Sequence, residues 1–448
     1  MKAKNNIFIC IFVILLTVPS LSMPFFFNAV NTEKRELASF PEIMNDGKIN
    51  SSFTSDFDSW INDRIGFRNE LVYAETLTEK NIFGNSAVSD IVLGKDDWLF
   101  YSDTLDDYFA NRTISDKNAE NIATSLKMVQ DHCEEAGVDF VFTIVPNKNT
   151  LYPQYMKDYY LSGSDGNMEA VVKALKEKDV NYADLYSAFA SRDEVYYQRY
   201  DSHWNYEGAL IGYRTVMNCS INEYNDFDDI SFEKKEDWEP DLAQMFYGVH
   251  MPDDIQYYPV YEFDYEIVSK EKESDALRLK TECESGKGNA LIFRDSFMNT
   301  AYIYFAQNFE NATFSRSYPI KIDAGDGETD TVIYEIVERN LKLLCEKAPV
   351  IKAKACDEIT ENHKEVNSES YRIFSEEKNK MTHIYGYFDE NLSVSGNDIY
   401  VKVNDRFYKA FPIYEKELLD DKTSDNGFSV YMDTENDVQL DKVKVFVD

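Results

Sequence analysis

The chain has 448 residues, of which 44% are hydrophobic and 15% are aromatic. This length exceeds what one ordinary hydrophobic core supports, so we expect one large domain and at least one smaller one. The 81 acidic side chains outnumber the 46 basic ones and give a formal net charge of −35. Because such a charge repels phosphate backbones, nucleic acid is a poor candidate partner.

The N-terminal segment has the layout of an export signal. Lys2 and Lys4 precede an apolar run at residues 7–18, and small residues suited to cleavage follow at Ser20-Leu21-Ser22. Apolar character resumes after these residues, so an uncleaved anchor is the alternative. We therefore predict that residues 1–28 are a signal peptide or an N-terminal membrane anchor, and that the rest of the protein is extracytoplasmic.

Alternating helix and strand signals predict an α/β domain over residues 29–375. Apolar residues repeat at helical spacing within 115–137, and a nearly continuous β-branched and aromatic run follows at 139–146, as in a strand buried on both faces. Further helices and strands alternate at residues 168–178, 180–185, 206–218, 289–297 and 329–337. This pattern is typical of a three-layer domain with a mostly parallel sheet.

Two other regions differ from this pattern. Periodicity weakens between residues 222 and 288, where charged stretches predict an insertion over the edge of the sheet. Residues 376–448 contain short strands separated by turn residues, and Asn404-Asp405 has the composition of a hairpin tip. We predict that this last region is a small β-sandwich.

Neither the histidines nor the cysteines have the spacing of metal ligands. No two of the five histidines lie within five residues of each other, and no pair of cysteines has CxxC spacing. We therefore expect no metal site, and no other pattern in the chain calls for a cofactor.

Asp201 and His203 are separated by one residue. In an extended backbone their side chains project to the same side, where the carboxylate can accept the imidazole N–H and fix its tautomer. A histidine held in this way acts as a general base. The alternative is a packed histidine without a chemical role.

Ser296 lies at the end of the predicted strand segment 289–297, where a helix should begin. Sites form at this edge of parallel sheets, and the first main-chain N–H groups of a helix stabilise an oxyanion. Ser296 is therefore the candidate nucleophile, with a helix-capping serine as the alternative.

The chain resembles the DHHW family and its relatives, the alginate-acetylation proteins with an AlgX/AlgJ-type SGNH-hydrolase-like domain. The resemblance spans about residues 31–345. It is carried by an ordered set of segments: RELASFPEI, FTSDFDSWINDRIGFRNELV, VLGKDDWLFY, PNKNTLYP, DSHWNYEGAL, PDLAQM and FRDSFMNT.

The resemblance implies a catalytic triad of Asp201, His203 and Ser296. In this family the aspartate and histidine precede the nucleophilic serine, and these three residues follow that order. Two positions depart from related patterns. Ser202 stands where the motif that names the family has histidine, and Arg294 stands where ordinary SGNH esterases have glycine.

Four further residues are candidates for holding the oxyanion or the substrate. Asn147 and Lys148 follow the buried strand 139–146 at the sheet edge expected for Ser296. Arg316 follows the next strand and suits an anionic sugar, and Trp204 suits a sugar platform. For each of these residues, an ordinary turn or packing role is the alternative.

The sequence thus favours an extracytoplasmic O-acyltransferase, expected to be O-acetyl, or an esterase acting on a cell-surface or secreted polysaccharide. The resemblance suggests a membrane-bound O-acyltransferase as a partner that supplies the acyl group. The alternative is a catalytically idle protein that binds glycan or assists polysaccharide assembly.

Overall fold

The computed structural model describes residues 2–26, 37–45, 47–323, 327–378, 380–389, 398–419, 426–433 and 438–448. Contacts within the chain define two compact units. The first comprises Met1–Ser102, Gln198–Ser202 and Lys235–Gln256. The second comprises Asp103–Tyr197, His203–Lys234 and Tyr257–Asp448.

The first unit begins with a continuous helix, Lys2–Phe26, that passes through two prolines. Within it, Lys4–Met23 is long and apolar enough to cross a membrane, with a mean hydropathy of 2.2, although a signal sequence meets the same criterion. Residues 1, 27 and 28 of the predicted N-terminal segment lie outside the described residues, as do 29–36 of the domain predicted after it.

The rest of the first unit is built from short elements. An amphipathic helix spans Phe53–Asn62, and its aromatic side chains stack along one stripe, with ring centroids of Phe57 and Trp60 5.7 Å apart. The other elements of the unit are the hairpin strands Met44–Asn45 and Lys48–Ile49, the helix Arg68–Thr78, the π-helical turn Glu79–Phe83, the hairpin strands Ile91–Leu93 and Leu99–Tyr101, and the helix Asp241–Tyr247. A small apolar core joins the second hairpin to this last helix through Leu99, Leu242 and Phe246.

The second unit is built around a seven-stranded sheet. In spatial order its strands are Tyr182–Ala183, Asp139–Val145, Thr331–Val337, Asn289–Phe293, Asn311–Ser315, Arg278–Glu282 and Glu266–Ile267. The first five strands pair in parallel, and the last two are antiparallel. The prediction of an α/β fold with a mostly parallel sheet is therefore confirmed.

The second and third strands of the sheet, Asp139–Val145 and Thr331–Val337, are buried at every position. Side chains from one face of Asp139–Val145 join an apolar core with the helix Asp116–Glu135, which packs against Asn167–Glu177. The helices Tyr206–Met217 and Met298–Asn308 form a second packed pair that also contacts the sheet. Shorter helices lie at Leu105–Tyr108, Lys148–Leu151, Leu185–Ala190 and Lys416–Leu419.

The segment predicted as an insertion, residues 222–288, is more structured than its weak periodicity indicates. It contains the paired strands Ser231–Trp238 and Asp254–Val260, and it supplies the two antiparallel strands of the central sheet. Charged residues alternate with buried ones along Arg278–Glu282, the last strand but one in the sheet. This strand is short and lacks the continuous apolar run of the strands that are buried on both faces.

The C-terminal region contains two antiparallel sheets whose apolar side chains share one cluster. One sheet has the strands Tyr371–Lys378, Met381–Phe388 and Gly427–Asp433, and the other has Ala355–Cys356, Arg406–Ala410, Ile399–Val403, Lys444–Val447 and Lys364–Glu365. The hairpin tip predicted at Asn404-Asp405 is confirmed, since both residues have positive φ. The predicted boundary at residue 376 falls within a strand, and the first strands of these sheets precede it.

Candidate active site

Ser296 lies in a short loop, residues 294–297, between the strand Asn289–Phe293 and the helix Met298–Asn308. We refer to residues 294–297 as the nucleophile loop. The strand is mostly apolar and its last two residues are buried where it meets the loop, while the helix begins two residues after Ser296. The Ser296 side chain is half-buried. This is the position that the sequence predicted for a nucleophile.

The imidazole of His203 lies next to this serine. Its Nε2 atom is 2.7 Å from the Oγ atom of Ser296, a hydrogen-bonding distance. The ring also contacts that of Phe297, with centroids 4.8 Å apart in an edge-to-face arrangement. Two of the three predicted catalytic residues, far apart in sequence, are therefore in contact within the second unit.

Trp204 joins the histidine segment to the start of the helix. Its indole N–H donates to the main-chain carbonyl of Phe297 at 3.0 Å and to the Thr300 hydroxyl at 2.9 Å. The side chain is only 2% exposed. A ring so buried offers no face to a sugar, so the position of Trp204 fits the packing alternative and not the sugar platform.

Asp201 lies in the first unit, which the chain leaves between Ser202 and His203. Within that unit the Oδ2 atom of Asp201 accepts hydrogen bonds from the indole N–H of Trp238 at 3.1 Å and from the main-chain N–H of Asp241 at 3.0 Å. These bonds hold the buried carboxylate in a fixed orientation.

Ser202, at the position where the family motif has histidine, bonds to another carboxylate of the same unit. Its main-chain N–H donates to Oδ1 of Asp241 at 2.8 Å, and its hydroxyl donates to Oδ2 at 2.5 Å. Ser202 therefore has a local partner.

The carboxylate of Asp295 shapes the nucleophile loop. It accepts hydrogen bonds from the main-chain N–H of Phe297 at 3.0 Å and from that of Val337, at the end of the neighbouring strand, at 2.7 Å. The buried Glu335 on that strand accepts from the N–H of Asp295 at 3.3 Å. Burial, and then the negative charge of Asp295, raise the pKa of Glu335 well above its usual value.

Asn147 and Lys148 are both buried at the end of the strand Asp139–Val145. The main-chain N–H of Asn147 donates to Oε2 of Glu338 at 2.7 Å, and its side-chain amide donates to Asp107 at 3.0 Å. Burial, followed by repulsion from Asp107, raises the pKa of Glu338 to about 8. Asn147 thus takes part in a buried polar network, and no described contact joins it to Ser296.

Arg316 lies near Arg294 of the nucleophile loop. Both guanidinium groups donate to Oδ1 of Asn299, each at 2.7 Å, and Arg294 also donates to the carbonyl of Ala276 at 3.0 Å. Burial, and then the charge of Arg316, lower the pKa of Arg294 to about 10. The pair places two positive charges at the nucleophile loop, one on the loop itself and one beside it, with Arg316 the more exposed member.

The sequence did not single out Asp295, Phe297, Glu335 or Glu338 as parts of the site. Asp295 and Phe297 adjoin Ser296 in the segment FRDSF, so motif adjacency was a signal for them. For Glu335 the signal was an acidic residue inside the apolar run TVIYEIV. Burying a carboxylate is costly, so one in such a run is expected to have a structural or chemical role.

Residues 91–282 match the family described as the SGNH hydrolase-like domain of acetyltransferase AlgX. This stretch contains Asp201 and His203 and ends before Ser296. The chain is also 32% identical over 130 residues to a protein of Pseudomonas syringae pv. tomato named "Probable alginate O-acetylase AlgJ". That match covers 28% of this chain and 32% of the relative, so the chain spans about a third of the relative's length.

Two solved structures are similar at low identity. Bacillus cereus PatB1 is 17% identical, with a TM-score of 0.44, over 56% of this chain and 96% of that one. A DHHW family protein from Eubacterium siraeum is 18% identical, with a TM-score of 0.36, over 50% of this chain and 84% of that one. From the family match and the AlgJ relative together, the chain is related to the AlgX/AlgJ-type SGNH-hydrolase-like proteins, as its sequence predicted.

Proposed function

We propose that this protein is an extracytoplasmic, serine-dependent O-acyltransferase or esterase, expected to act on acetyl groups of a cell-surface or secreted polysaccharide. The observation that carries the proposal is the 2.7 Å separation between Nε2 of His203 and Oγ of Ser296. At this distance the histidine can remove the hydroxyl proton as the serine attacks.

In the first half-reaction, Oγ of Ser296 attacks the carbonyl carbon of an acyl donor, and its proton passes to Nε2 of His203. The tetrahedral intermediate then collapses, the donor's oxygen leaves with that proton, and an acyl-serine remains. We assign stabilisation of the developing oxyanion to main-chain N–H groups at the start of the helix Met298–Asn308, which begins two residues after Ser296. Because the N–H of Phe297 is already bound by Asp295, this loop is held in its conformation before the substrate arrives.

In the second half-reaction, His203 removes the proton of an acceptor hydroxyl, whose oxygen attacks the acyl carbon. The bond to Oγ breaks, and Ser296 recovers its proton from His203. A sugar hydroxyl as the acceptor gives a transferase, and water gives an esterase.

Nε2 of His203 accepts the serine proton only when Nδ1 carries the other ring hydrogen. We assign the acceptor of that Nδ1–H to Asp201, on the basis of its place two residues earlier in the chain and of the resemblance. Arg316 is assigned to an anionic group of the substrate because it adds charge beside the nucleophile loop. Asn147 and Lys148 are proposed as residues that help to hold the oxyanion or a sugar hydroxyl, and Asn147 is positioned by its bond to Glu338.

The cellular setting of the proposal follows from the N-terminal helix. A helix that is either a signal sequence or an anchor directs the enzyme to the outer side of the membrane. The relative's name refers to alginate O-acetylation, which supports a polysaccharide as the acceptor. A membrane-bound O-acyltransferase is the proposed source of the acyl group.

The test combines an acetyl-ester donor with an oligosaccharide acceptor. Purified protein is given a small chromogenic acetyl ester, and both release of the chromophore and acetylation of the oligosaccharide are measured. The variants are Ser296→Ala and, as a matched control, Ser315→Ala, a half-buried serine on the neighbouring strand whose hydroxyl bonds to Ser317.

We expect activity to be lost in Ser296→Ala and retained in Ser315→Ala. Acetylated sugar marks a transferase, and release without sugar product marks an esterase. Equal activity in wild type and Ser296→Ala contradicts the proposal. It favours the alternative of a non-catalytic glycan-binding protein, in which binding of polysaccharide survives that substitution.

A further inference from the structure

A cleft lies within the second unit at the amino ends of the parallel strands, opposite the carboxyl ends where Ser296 lies. It has a volume of about 750 Å³ and is lined mainly by amide and phenol side chains. We name it the amide cleft and define it by Asn222, Tyr224, Asn225, Tyr261, Ser285, Lys287, Gln307 and Asn308.

The contacts of the cleft place it at the amino ends of the parallel strands. Asn222 donates to the hydroxyl of Thr331, the first residue of its strand, at 2.8 Å, and Ser285 and Lys287 precede the strand Asn289–Phe293. Asn308 ends the helix that begins beside Ser296. That helix has 11 residues, which corresponds to a length of about 16 Å, so the amide cleft is separate from the nucleophile.

Asn308 carries a polar group without a partner in the described structure. Its side chain is only 6% exposed, and its Oδ1 atom accepts from the main-chain N–H of Asn225 at 2.9 Å. The buried Nδ2 atom has no hydrogen-bond acceptor among the described residues. A buried amide donor is costly unless an acceptor reaches it. Because Asn308 also lines the cleft, a small shift of the lining on binding would bring a ligand oxygen to this donor.

The lining is suited to hydroxyl groups. Amides and phenols both donate and accept hydrogen bonds, as sugar hydroxyls do, and the half-buried rings of Tyr224 and Tyr261 offer surfaces for the C–H faces of a sugar. Tyr261 is held in place by the ring of Phe227, with centroids 5.2 Å apart.

The charges of the cleft argue against an anionic ligand. Of the described lining residues Lys287 is the one cation, and its ammonium group is 3.1 Å from the carboxylate of Glu223. Asp226 adds another negative charge. A uronate or phosphate would therefore meet net repulsion, whereas a neutral sugar would not.

We propose that the amide cleft binds a neutral oligosaccharide, separately from the reaction at Ser296. Because this binding needs no chemistry at the nucleophile, the inference goes beyond the proposed function. Its role is to bind a neutral glycan at a distance from Ser296, apart from the anionic substrate group assigned to Arg316.

The test measures binding of a panel of neutral tetrasaccharides, derived from β-glucan, xylan, mannan and chitin, to the full chain in detergent micelles. Tetragalacturonate is the anionic comparison. Asn308→Asp keeps the oxygen that Asn225 uses and removes the buried donor. Asn118→Asp makes the same change at another asparagine that is also 6% exposed, and Tyr261→Phe removes a cleft hydroxyl without removing the ring.

We expect at least one neutral tetrasaccharide to bind, about tenfold more weakly to Asn308→Asp and several-fold more weakly to Tyr261→Phe, and equally to Asn118→Asp and wild type. Binding should persist in Ser296→Ala, which separates this proposal from that for the nucleophile. The proposal is overturned if no member of the panel binds at about 10 mM, if tetragalacturonate binds more tightly, or if Asn308→Asp and Asn118→Asp bind equally.

Discussion

The indole N–H of Trp204 donates a 3.0 Å hydrogen bond to the main-chain carbonyl of Phe297, the residue that follows the candidate nucleophile. This bond connects the segment that carries His203 to the loop that carries Ser296. The geometry of the pair therefore depends on a residue that has no role in proton transfer.

Replacing Trp204 with Phe should lower esterase activity about tenfold or more and destabilise the protein by about 1–3 kcal/mol, because it removes two buried hydrogen bonds and leaves only the 3.3 Å bond from the Thr300 hydroxyl to the Phe297 carbonyl. Ester hydrolysis and chemical unfolding measure the two effects. Trp98→Phe, at another buried tryptophan, should lower stability and leave activity intact. Full activity in Trp204→Phe would show that the bond does not position the pair.

The close approach of Gly212 to Trp204 gives a second prediction. A Cβ atom at Gly212 would lie 2.9 Å from the Cη2 atom of Trp204, closer than packed side chains tolerate. Although alanine favours a helix by about 1 kcal/mol, we expect Gly212→Ala to destabilise the protein through overpacking.

Unfolding of the double variant with Trp204→Phe separates these effects. The smaller ring should accommodate the methyl group, so the cost of Gly212→Ala should shrink or change sign in that background. An identical cost in both backgrounds would mean that the indole is not what the methyl group meets.

Asp295→Asn tests the support of the nucleophile loop. An asparagine offers one acceptor oxygen where the carboxylate bonds to the N–H groups of both Phe297 and Val337, so one main-chain donor loses its partner. We expect kcat for ester hydrolysis to fall while KM changes little, since the loop holds the nucleophile and not the substrate.

The control is Asp330→Asn, since Asp330 accepts from the N–H of Asn289 at 2.8 Å at the other end of the nucleophile strand. This variant should keep the wild-type kcat. A loss of kcat in both variants would point to a general disturbance of the strand.

Glu338 gives a prediction about pH. Burial, and next Asp107, raise its pKa in the folded protein to about 8, above the 4.5 of an exposed glutamate. Between these two values the folded protein keeps a proton that the unfolded chain releases, so rising pH favours unfolding. The contribution to stability is complete below about pH 4.5 and is lost as the pH rises through about 8.

Glu338→Gln should remove this dependence, because the amide can accept from Asn147 and donate to the Thr150 hydroxyl without titrating. Urea unfolding at pH 5 and pH 8 should show a smaller decrease for Glu338→Gln than for wild type. The same substitution at the exposed Glu369 should leave the decrease unchanged. If the free energy of unfolding falls between pH 5 and pH 8 by as much in Glu338→Gln as in wild type, the pH dependence comes from other groups.

The sequence was most informative where local patterns and tertiary structure agree. The run DFVFTIV is apolar at nearly every position because both faces of its strand are buried, and the structure has this strand at Asp139–Val145. The same reasoning placed Ser296 at a strand end. The spacing of Asp201 and His203 indicated a pair, while the contact of His203 with Ser296 depends on chain segments 93 residues apart.

What the sequence could not supply were features that depend on long-range pairing. The strands Arg278–Glu282 and Glu266–Ile267 occupy the sheet edge through antiparallel pairing, which their charged composition does not indicate. The burial of Trp204, which its residue type leaves open, follows from packing against Phe297 and Gly212. The Asp295 bond to Val337 likewise joins residues from different strands.

The central claim is that His203 activates Ser296 to form an acyl-serine, and trapping this adduct tests it most directly. The full chain is mixed with a small acetyl ester and quenched in acid within one turnover, and the mass of the serine-containing peptide is measured. We predict the addition of one acetyl group on Ser296 in wild type and Ser315→Ala, a much slower addition in His203→Ala, and none in Ser296→Ala. An acetyl group that appears on another residue, or at the same rate without His203, would contradict the account.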